Sequence, residues 1–159
     1  MLRSFLAAFA GYATVVVLSV ASAGICWLVF GAEGAFHPGS TVASNGWSLL
    51  SCVLGFVSAV IAGVVTAALG RHSRNAPVTY LAVMLLVFGL SLAILGRDQE
   101  PRDALPEGKS TAELSFVEAG QVSSTPTWYD FVIGFVGAAG VLLGGALRGP
   151  GKPLPPRRV

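Results

Sequence analysis

The stretch that decides the fold is WSLLSCVLGFVSAVIAGVVTAALG, which runs from Trp47 to Gly70 without a charged residue. At about 1.5 Å per residue, a helix of this length reaches beyond the roughly 30 Å hydrocarbon core of a bilayer. Lipid offers no hydrogen-bond partner to exposed backbone groups, so an apolar segment that crosses it must be helical. The stretch therefore predicts one transmembrane helix.

Three further apolar stretches predict three further helices, one before this stretch and two after it. With 53% hydrophobic and 11% charged residues, the chain is far more apolar than a soluble domain, in which about a quarter of residues are charged. We therefore predict an all-α fold, a four-helix transmembrane bundle that forms one domain over residues 1–147. The expected partner of this domain is the lipid bilayer. The predicted spans are about 4–31, 47–70, 77–96 and 128–147; the longer outer connections are 32–46 and 97–127, and a basic, proline-rich cytoplasmic tail covers 148–159.

The beginning of the first span can also be interpreted as a cleavable signal peptide. Arg3 is followed by an apolar stretch and then by the tripeptide ASA at 21–23, which has the small-x-small pattern of a cleavage site. The apolar stretch continues to Phe30, whereas signal peptides usually stop being apolar earlier, so we expect the first span to be retained. Removal of residues 1–23 would not change the topology of the remaining spans.

Charged residues are sorted by sign between the two sides that four crossings create. Seven Lys and Arg residues and no acid lie on the side that holds both termini, whereas all eight acids and three basic residues lie on the other. Because Lys and Arg in short loops stay in the cytoplasm, we predict a multi-pass protein of the plasma (inner) membrane with both termini cytoplasmic. The basic residues are not interleaved with aromatic ones, so nucleic acid is not an expected partner. The residues predicted to anchor the spans at the interfaces are Trp27, Trp47, Trp128 and Tyr129 outside and Arg71, Arg74 and Arg148 inside.

Small residues recur at helical spacing in three of the predicted spans and indicate where helices approach each other closely. In the second span they occupy every fourth position over five turns, and the fourth span contains a GxxxG pair. In the third span they recur every seventh residue, which suits a left-handed crossing. We expect these rows either to hold the bundle together or to contact other membrane helices in a homo- or hetero-oligomer. The predicted packing residues are Ser51, Gly55, Ala59, Gly63 and Ala67, then Ala82, Gly89 and Gly96, and finally Gly140 and Gly144.

The predicted membrane interior carries hydroxyl groups but, beyond Asp130 in the first turn of the fourth span, no Asp, Glu, His, Lys or Arg. Charged residues at membrane depth usually mark ion or substrate pathways, so their absence argues against proton-coupled transport. Glu33 and His37 supply two possible metal ligands, too few to complete a site. We therefore expect no catalytic site, no metal, no cofactor and no enzymatic activity.

The connection at 97–127 is acidic and is interrupted by Pro101 and Pro106. Within it, the tetrapeptide STAE at 110–113 has the spacing of a capping box and is followed by apolar residues. It predicts a short helix at the outer surface.

These residues leave three hypotheses on function. The leading one is a structural, assembly or accessory subunit of a membrane complex, because small residues line the spans and the interior is uncharged. The alternative is a small transporter or channel component for a neutral or lipophilic solute, with a path lined by Ser51, Ser58 and Thr66. The third is a redox protein or enzyme built on Cys26 and Cys52, which lie at similar depth, although a free Cys more often acts as a small buried hydrophobe.

Overall fold

The structure is a computed structural model that describes residues 2–70, 75–95 and 110–148. The described residues form α-helices, one short 3-10 helix and isolated β-bridges, without a longer strand. Four of the helices are long and apolar enough to cross a membrane, so the predicted all-α bundle of four long apolar helices is confirmed. The elements are α1 (Leu2–Ala35), α2 (Asn45–Leu69), α3 (Asn75–Leu95), the 3-10 helix (Thr111–Glu113), α4 (Phe116–Val122) and α5 (Thr127–Leu147).

The four long helices pack in the order α1, α2, α5, α3 around the bundle. α5 packs most extensively on α2 and then on α3, whereas α1 packs on α2 and less on α3. α2 and α3 touch each other only sparingly, so they lie diagonally across the bundle. Trp27 and Trp47 lie together at one end, with ring centroids 6.3 Å apart. We call this the tryptophan end, and the opposite end, where Arg148 follows α5, the arginine end.

α1 extends beyond the predicted end of the first span because the chain makes a further helical turn after a break at Gly31. Gly31 has φ 61° and ψ −168°, a backbone conformation that is accessible almost only to glycine. The turn at 32–35 follows, and the N–H of Phe36 donates to the carbonyl of Ala32 at 3.0 Å. The predicted 32–46 connection therefore begins with helix rather than loop.

α2 begins two residues before the predicted start of the second span because Ser44 caps it. The Ser44 hydroxyl oxygen accepts a hydrogen bond from the N–H of Trp47 at 3.1 Å, which satisfies one of the free donors of a helix start. The same hydroxyl donates to the carbonyl of Gly34 at 3.0 Å. One side chain thus joins the end of α1 to the start of α2.

Large apolar side chains lie mostly on the outside of the bundle, and small ones lie inside. Phe5, Leu28 and Leu95 are 66%, 86% and 69% exposed, whereas Ala59 and Ala62 are fully buried. Lipid chains are as apolar as these side chains, so helices in a membrane associate through close packing of small residues rather than by burying large ones. This distribution fits a multi-pass membrane protein.

The buried side chains form two separate clusters. The bundle core consists of Ala8, Ala59, Ala62, Ala67, Val78, Leu81, Ala82 and Val141. The second cluster lies at the tryptophan end and consists of Ala32, Ala35, Phe36, Leu114 and Ala119, with Trp27, Trp47 and Val122 packed against it. We call this second cluster, together with segments 36–44 and 110–124, the cap.

Several of the predicted positions cannot be placed in this architecture. Arg71, Arg74, Gly96, residues 97–109 and the tail after Arg148 lie outside the described residues.

Candidate functional site

The row of small residues on α2 packs on α5 in the middle of the bundle. A Cβ atom built at Gly63 would collide with the carbonyl oxygen of Val141 on α5, and one built at Gly140 would lie 2.8 Å from Cβ of Ala59. A Cβ atom at Gly144 would collide with the carbonyl oxygen of Val60. The two backbones therefore approach so closely that only glycine fits at these contacts. The row on α2 and the GxxxG pair on α5 face each other inside the bundle.

α3 approaches α5 in the same way. A Cβ atom built at Gly89 would lie 2.7 Å from Cα of Gly134 on α5. Ala82 is 4% exposed and belongs to the bundle core. α5 is thus the central helix, with one glycine face toward α2 and another toward α3.

Within the bundle, α1 packs tightly on its neighbours near the arginine end. A Cβ atom built at Gly11 would collide with the hydroxyl oxygen of Thr66 on α2 and would lie 2.6 Å from Cδ2 of Leu81 on α3. Thr66 and Leu81 are both completely buried. At this depth the three helices leave no room for a solute.

Toward the tryptophan end, α1 separates from the rest of the bundle. Only 6% of the residues in its apolar segment are buried, against 28% to 39% in the other three long helices. Ala8 and Gly11 are buried near one end and Ala32 and Ala35 near the other, whereas residues 12–31 are at most half-buried. The space between α1, α2 and α5 is therefore not filled by side chains.

Two cavities occupy this space. The cap cavity, of about 150 Å³, lies under the cap and is lined among others by Trp27, Phe36, Ser48, Phe116 and Gly120. The membrane cavity, of about 250 Å³, lies between α1, α2 and α5 and is lined among others by Ser19, Ser22, Cys26, Leu54, Gly55 and Ile133. Ala23, Trp47, Ser51 and Tyr129 line both cavities, so the two adjoin.

The predicted packing row on α2 changes its surroundings along its length. Ser51 lines both cavities, and Gly55 lines the membrane cavity, where a Cβ atom would meet only Cδ1 of Ile133 at 3.3 Å. Ala59 and Gly63 pack on α5, and Ala67 belongs to the bundle core. The cavities thus begin where the close packing ends.

The cavity walls combine apolar surface with hydroxyl groups. A side-chain hydrogen bond joins Ser51 to Tyr129. Ser48 is 2% exposed, and its hydroxyl oxygen has no hydrogen-bond partner in the described part of the chain. Elsewhere in the helices, the hydroxyls of Thr14 and Ser91 donate to the carbonyls four residues earlier, at 2.8 Å each. Ser48 is therefore a buried polar group whose bonding capacity is directed neither at its own helix nor at a neighbour.

Aromatic rings cover the cavities at the tryptophan end. Trp27 makes edge-on contacts with Phe36, Trp47 and Phe116, with ring centroids 6.1, 6.3 and 6.0 Å apart. Trp27 and Trp47, predicted as interface anchors, are thus brought together. Trp128 is 41% exposed and stacks edge-on against Tyr129, 6.1 Å away. At the other end, Arg148 Nη1 donates to the carbonyl of Val64 at 3.5 Å.

The cap is held by backbone hydrogen bonds and by two isolated β-bridges, Phe36 with Ala43 and Val42 with Ser124. The N–H of Ala43 donates to the carbonyl of Ser124 at 2.9 Å, and the N–H of Ser44 donates to that of Ala35 at 2.8 Å. The STAE capping box forms only the 3-10 helix. The predicted short helix instead begins at Phe116, because Ser115 caps it and the carboxylate of Glu118 accepts from the Ser115 N–H at 2.9 Å.

The remaining residues that the sequence suggested for function are the two cysteines, the possible metal ligands and the hydroxyl groups of the predicted path. Cys26 and Cys52 are both free; Cys26 lines the membrane cavity and Cys52 is buried. Glu33 and His37 both line a depression on the surface of the cap, and the described residues contain no group of three or more potential metal ligands. Ser58 and Thr66 line neither of the two cavities, so the predicted hydroxyl path is not continuous.

No protein family, no curated protein and no solved structure matches this chain. The proposed function therefore rests on the geometry of the cavities. Sequence reasoning included Ser48 only among the hydroxyls of the membrane interior. Thr41, Thr66 and Ser124 also have buried hydroxyls without a partner among the described residues, but of these four residues Ser48 alone lines one of the two cavities, and this depends on the fold.

Proposed function

We propose that this multi-pass membrane protein binds a small, neutral, lipophilic solute between α1, α2 and α5, as the binding component of a transport system. The observation that carries the proposal is the pair of adjoining cavities at the tryptophan end. Their lining is mostly apolar and aromatic with a few hydroxyl groups, which is the usual composition of a small-molecule site. Among the described residues, no charged side chain lines either cavity. A charged solute would lose its hydration there without gaining a counter-ion.

The geometry supports a binding component rather than an open channel. At the depth of Gly11, Thr66 and Leu81 the helices are in direct contact, so the cavities do not continue to the arginine end. The rows of small residues suggested a contact with a partner protein, but Gly63 and Gly144 already face a neighbouring helix of the same chain. The two cavities, in contrast, are not needed for the packing of the helices, and they support solute binding.

A second candidate is the structural, assembly or accessory subunit, and the exposure of α1 favours it. With 6% of its apolar segment buried, α1 offers a long face to lipid or to another membrane helix. A Cβ atom built at Gly24 meets nothing within 4 Å. In a chain without Cys26 and Cys52, Ala21→Cys labelled with benzophenone maleimide should then cross-link to another membrane protein on irradiation. A monomer without a cross-link would contradict the hypothesis that this face of α1 binds another protein.

We further propose insertion into the plasma (inner) membrane with both termini in the cytoplasm and no enzymatic role. The sorting of charges by sign supports this orientation. In this orientation the cap and the cavities lie on the outer side, and solute enters from outside or from the outer leaflet.

Solute binding is tested by thermal unfolding in lipid nanodiscs with benzyl alcohol, cyclohexane, benzoate and benzylammonium. A ligand present at about 100 times its Kd stabilises the folded state by about 2.7 kcal/mol. The neutral solutes should raise the unfolding temperature in a saturable way, and the charged ones should not.

The matched variants are Ala23→Phe and Ala21→Phe, two positions apart on α1. Ala23 lines both cavities, whereas Ala21 is exposed on the outside of the helix. The first variant should lose the stabilisation by neutral solutes and the second should keep it. Equal shifts in both variants would mean that the solutes act through the lipid, and the proposal would be wrong.

A further inference from the structure

The two cavities lie one after the other along α1. Ala23, Trp47, Ser51 and Tyr129 line both, so the cavities adjoin at these four side chains, and a ligand that spans both must pass between them. Between Ser48 and Gly55, α2 rises by roughly 10 Å at about 1.5 Å per residue. Two cavities that follow one another over this distance suit an extended chain.

The polar groups are distributed unevenly along this site. Under the cap, Ser48 offers an unpartnered hydroxyl at 2% exposure. A buried hydroxyl without a partner costs free energy, and a ligand that hydrogen-bonds to it recovers that cost. The membrane cavity also has hydroxyl groups, but that of Ser22 already donates to the carbonyl of Ser19 at 3.1 Å, and Leu54, Gly55 and Ile133 present apolar surface. The unpartnered hydroxyl of Ser48 therefore favours the polar end of a ligand under the cap and its apolar end in the bundle.

The aromatic residues of the cap fix the same direction. Trp27 lies among Phe36, Trp47 and Phe116, and these rings line the cap cavity, of about 150 Å³, together with Ser48. A cavity of this volume accommodates a short polar group but not a large headgroup. The site consequently excludes a phospholipid headgroup, which is both bulky and charged.

From this geometry, and resting on the proposed solute-binding function, we infer that the ligand is a single-chain neutral amphiphile of the long-chain alcohol type. Its hydroxyl group exchanges a hydrogen bond with Ser48, and its alkyl chain runs past Ser51 toward Gly55. The hydroxyl serves as both donor and acceptor, so it matches a serine whichever way the proton points.

Tryptophan fluorescence in nanodiscs provides the test, with 2-bromodecanol, 2-bromodecane and 2-bromodecanoate as probes, because bromine quenches indole on contact and at the second carbon it lies next to the group that faces Ser48. Trp128→Phe removes the one tryptophan that does not line the cavities, so that the signal comes from Trp27 and Trp47. The bromoalkanol should quench saturably and bind roughly fivefold more tightly than the bromoalkane, as one neutral hydrogen bond implies. The carboxylate should not saturate.

The variant Ser48→Ala should remove this fivefold preference while still binding both neutral probes. Since Ser48 has no partner to lose, the variant is expected to fold. Ser91→Ala is the control, because its hydroxyl donates to Val87 on α3, away from the cavities. It should keep the preference.

The outcomes separate the two proposals. Equal binding of bromoalkanol and bromoalkane by the unmodified protein would overturn the alcohol assignment and leave solute binding standing. A preference that survives Ser48→Ala would overturn the role of Ser48, and saturable binding of the carboxylate would overturn the requirement for a neutral ligand. Quenching that never saturates with any probe would overturn the proposed function itself.

Discussion

Gly63 on α2 lies against the carbonyl oxygen of Val141 on α5, with no space between them for even a methyl group. The backbone nitrogen of Gly145 would lie 3.0 Å from a Cβ atom at the same position. Neither neighbour is a flexible side chain, so neither can move aside without shifting α5. The spacing of the two central helices is therefore set at this point.

Gly63→Ala should destabilise the bundle by about 1–3 kcal/mol, the usual cost of overpacking an interior. The measurement is the midpoint of unfolding in detergent. Gly24→Ala on α1 is the matched control, since a Cβ atom there meets nothing within 4 Å, and it should be neutral or slightly stabilising. Equal stability of the two variants would contradict the close approach of α2 to α5.

Gly11→Ala should likewise destabilise the protein, because its methyl group would overlap the hydroxyl of Thr66. Thr66→Ala removes that hydroxyl, so the double variant should be more stable than the sum of the two single effects implies. A coupling of about 1 kcal/mol is expected for residues in direct contact. Strict additivity in a double-mutant cycle would show that α1 does not pack on α2 at this depth.

Trp27→Ala should loosen the cap while leaving the bundle folded. The variant loses three edge-on ring contacts, each worth about 0.5–1.5 kcal/mol. Hydrogen exchange at the amides of Ala119 and Ser123, which hold α4 together, should accelerate at least tenfold. Trp128→Ala, whose ring contact lies within α5, should leave these amides unchanged. Unaltered exchange in the Trp27 variant would mean that the cap is held by its backbone alone.

The proposed orientation predicts which surface sites are accessible from outside. In a chain without native cysteines, His37→Cys in the cap should react with a membrane-impermeant maleimide on intact cells. Arg148→Cys at the arginine end should react only after permeabilisation. Both residues are exposed, so the difference in labelling reports the side of the membrane. The reverse pattern would place the termini outside.

The four long helices could be predicted from the sequence because each contains an uncharged apolar stretch long enough to cross the roughly 30 Å hydrocarbon core of a bilayer. The pairing of the helices could not. A row such as Gly55, Ala59 and Gly63 predicts close approach but does not say which helix approaches. That α5 fills this role, with separate glycine faces toward α2 and α3, depends on how all four helices divide the available space.

The cap and the cavities were beyond sequence reasoning for a different reason. Trp27 has the residue type and position of an interface anchor, and nothing in its neighbourhood indicates that Phe116, some 90 residues later, packs on it. The helix at Phe116 was expected at the preceding capping box, because two such patterns follow one another and the sequence does not rank them. A cavity leaves no residue pattern at all.

The break at Gly31 has a mechanical consequence for α1. From Leu2 to Phe30 the helix is roughly 43 Å long at about 1.5 Å per residue, so it exceeds the hydrocarbon thickness and must tilt to fit. Since the turn at 32–35 belongs to the cap, Gly31 is the point at which α1 can change its direction relative to that turn, and Trp27, which packs on the cap, moves with such a change. The tilt of α1, and with it the width of the gap beside α1, therefore depends on the thickness of the bilayer. A thin membrane favours a larger tilt, and a thick membrane favours a smaller one.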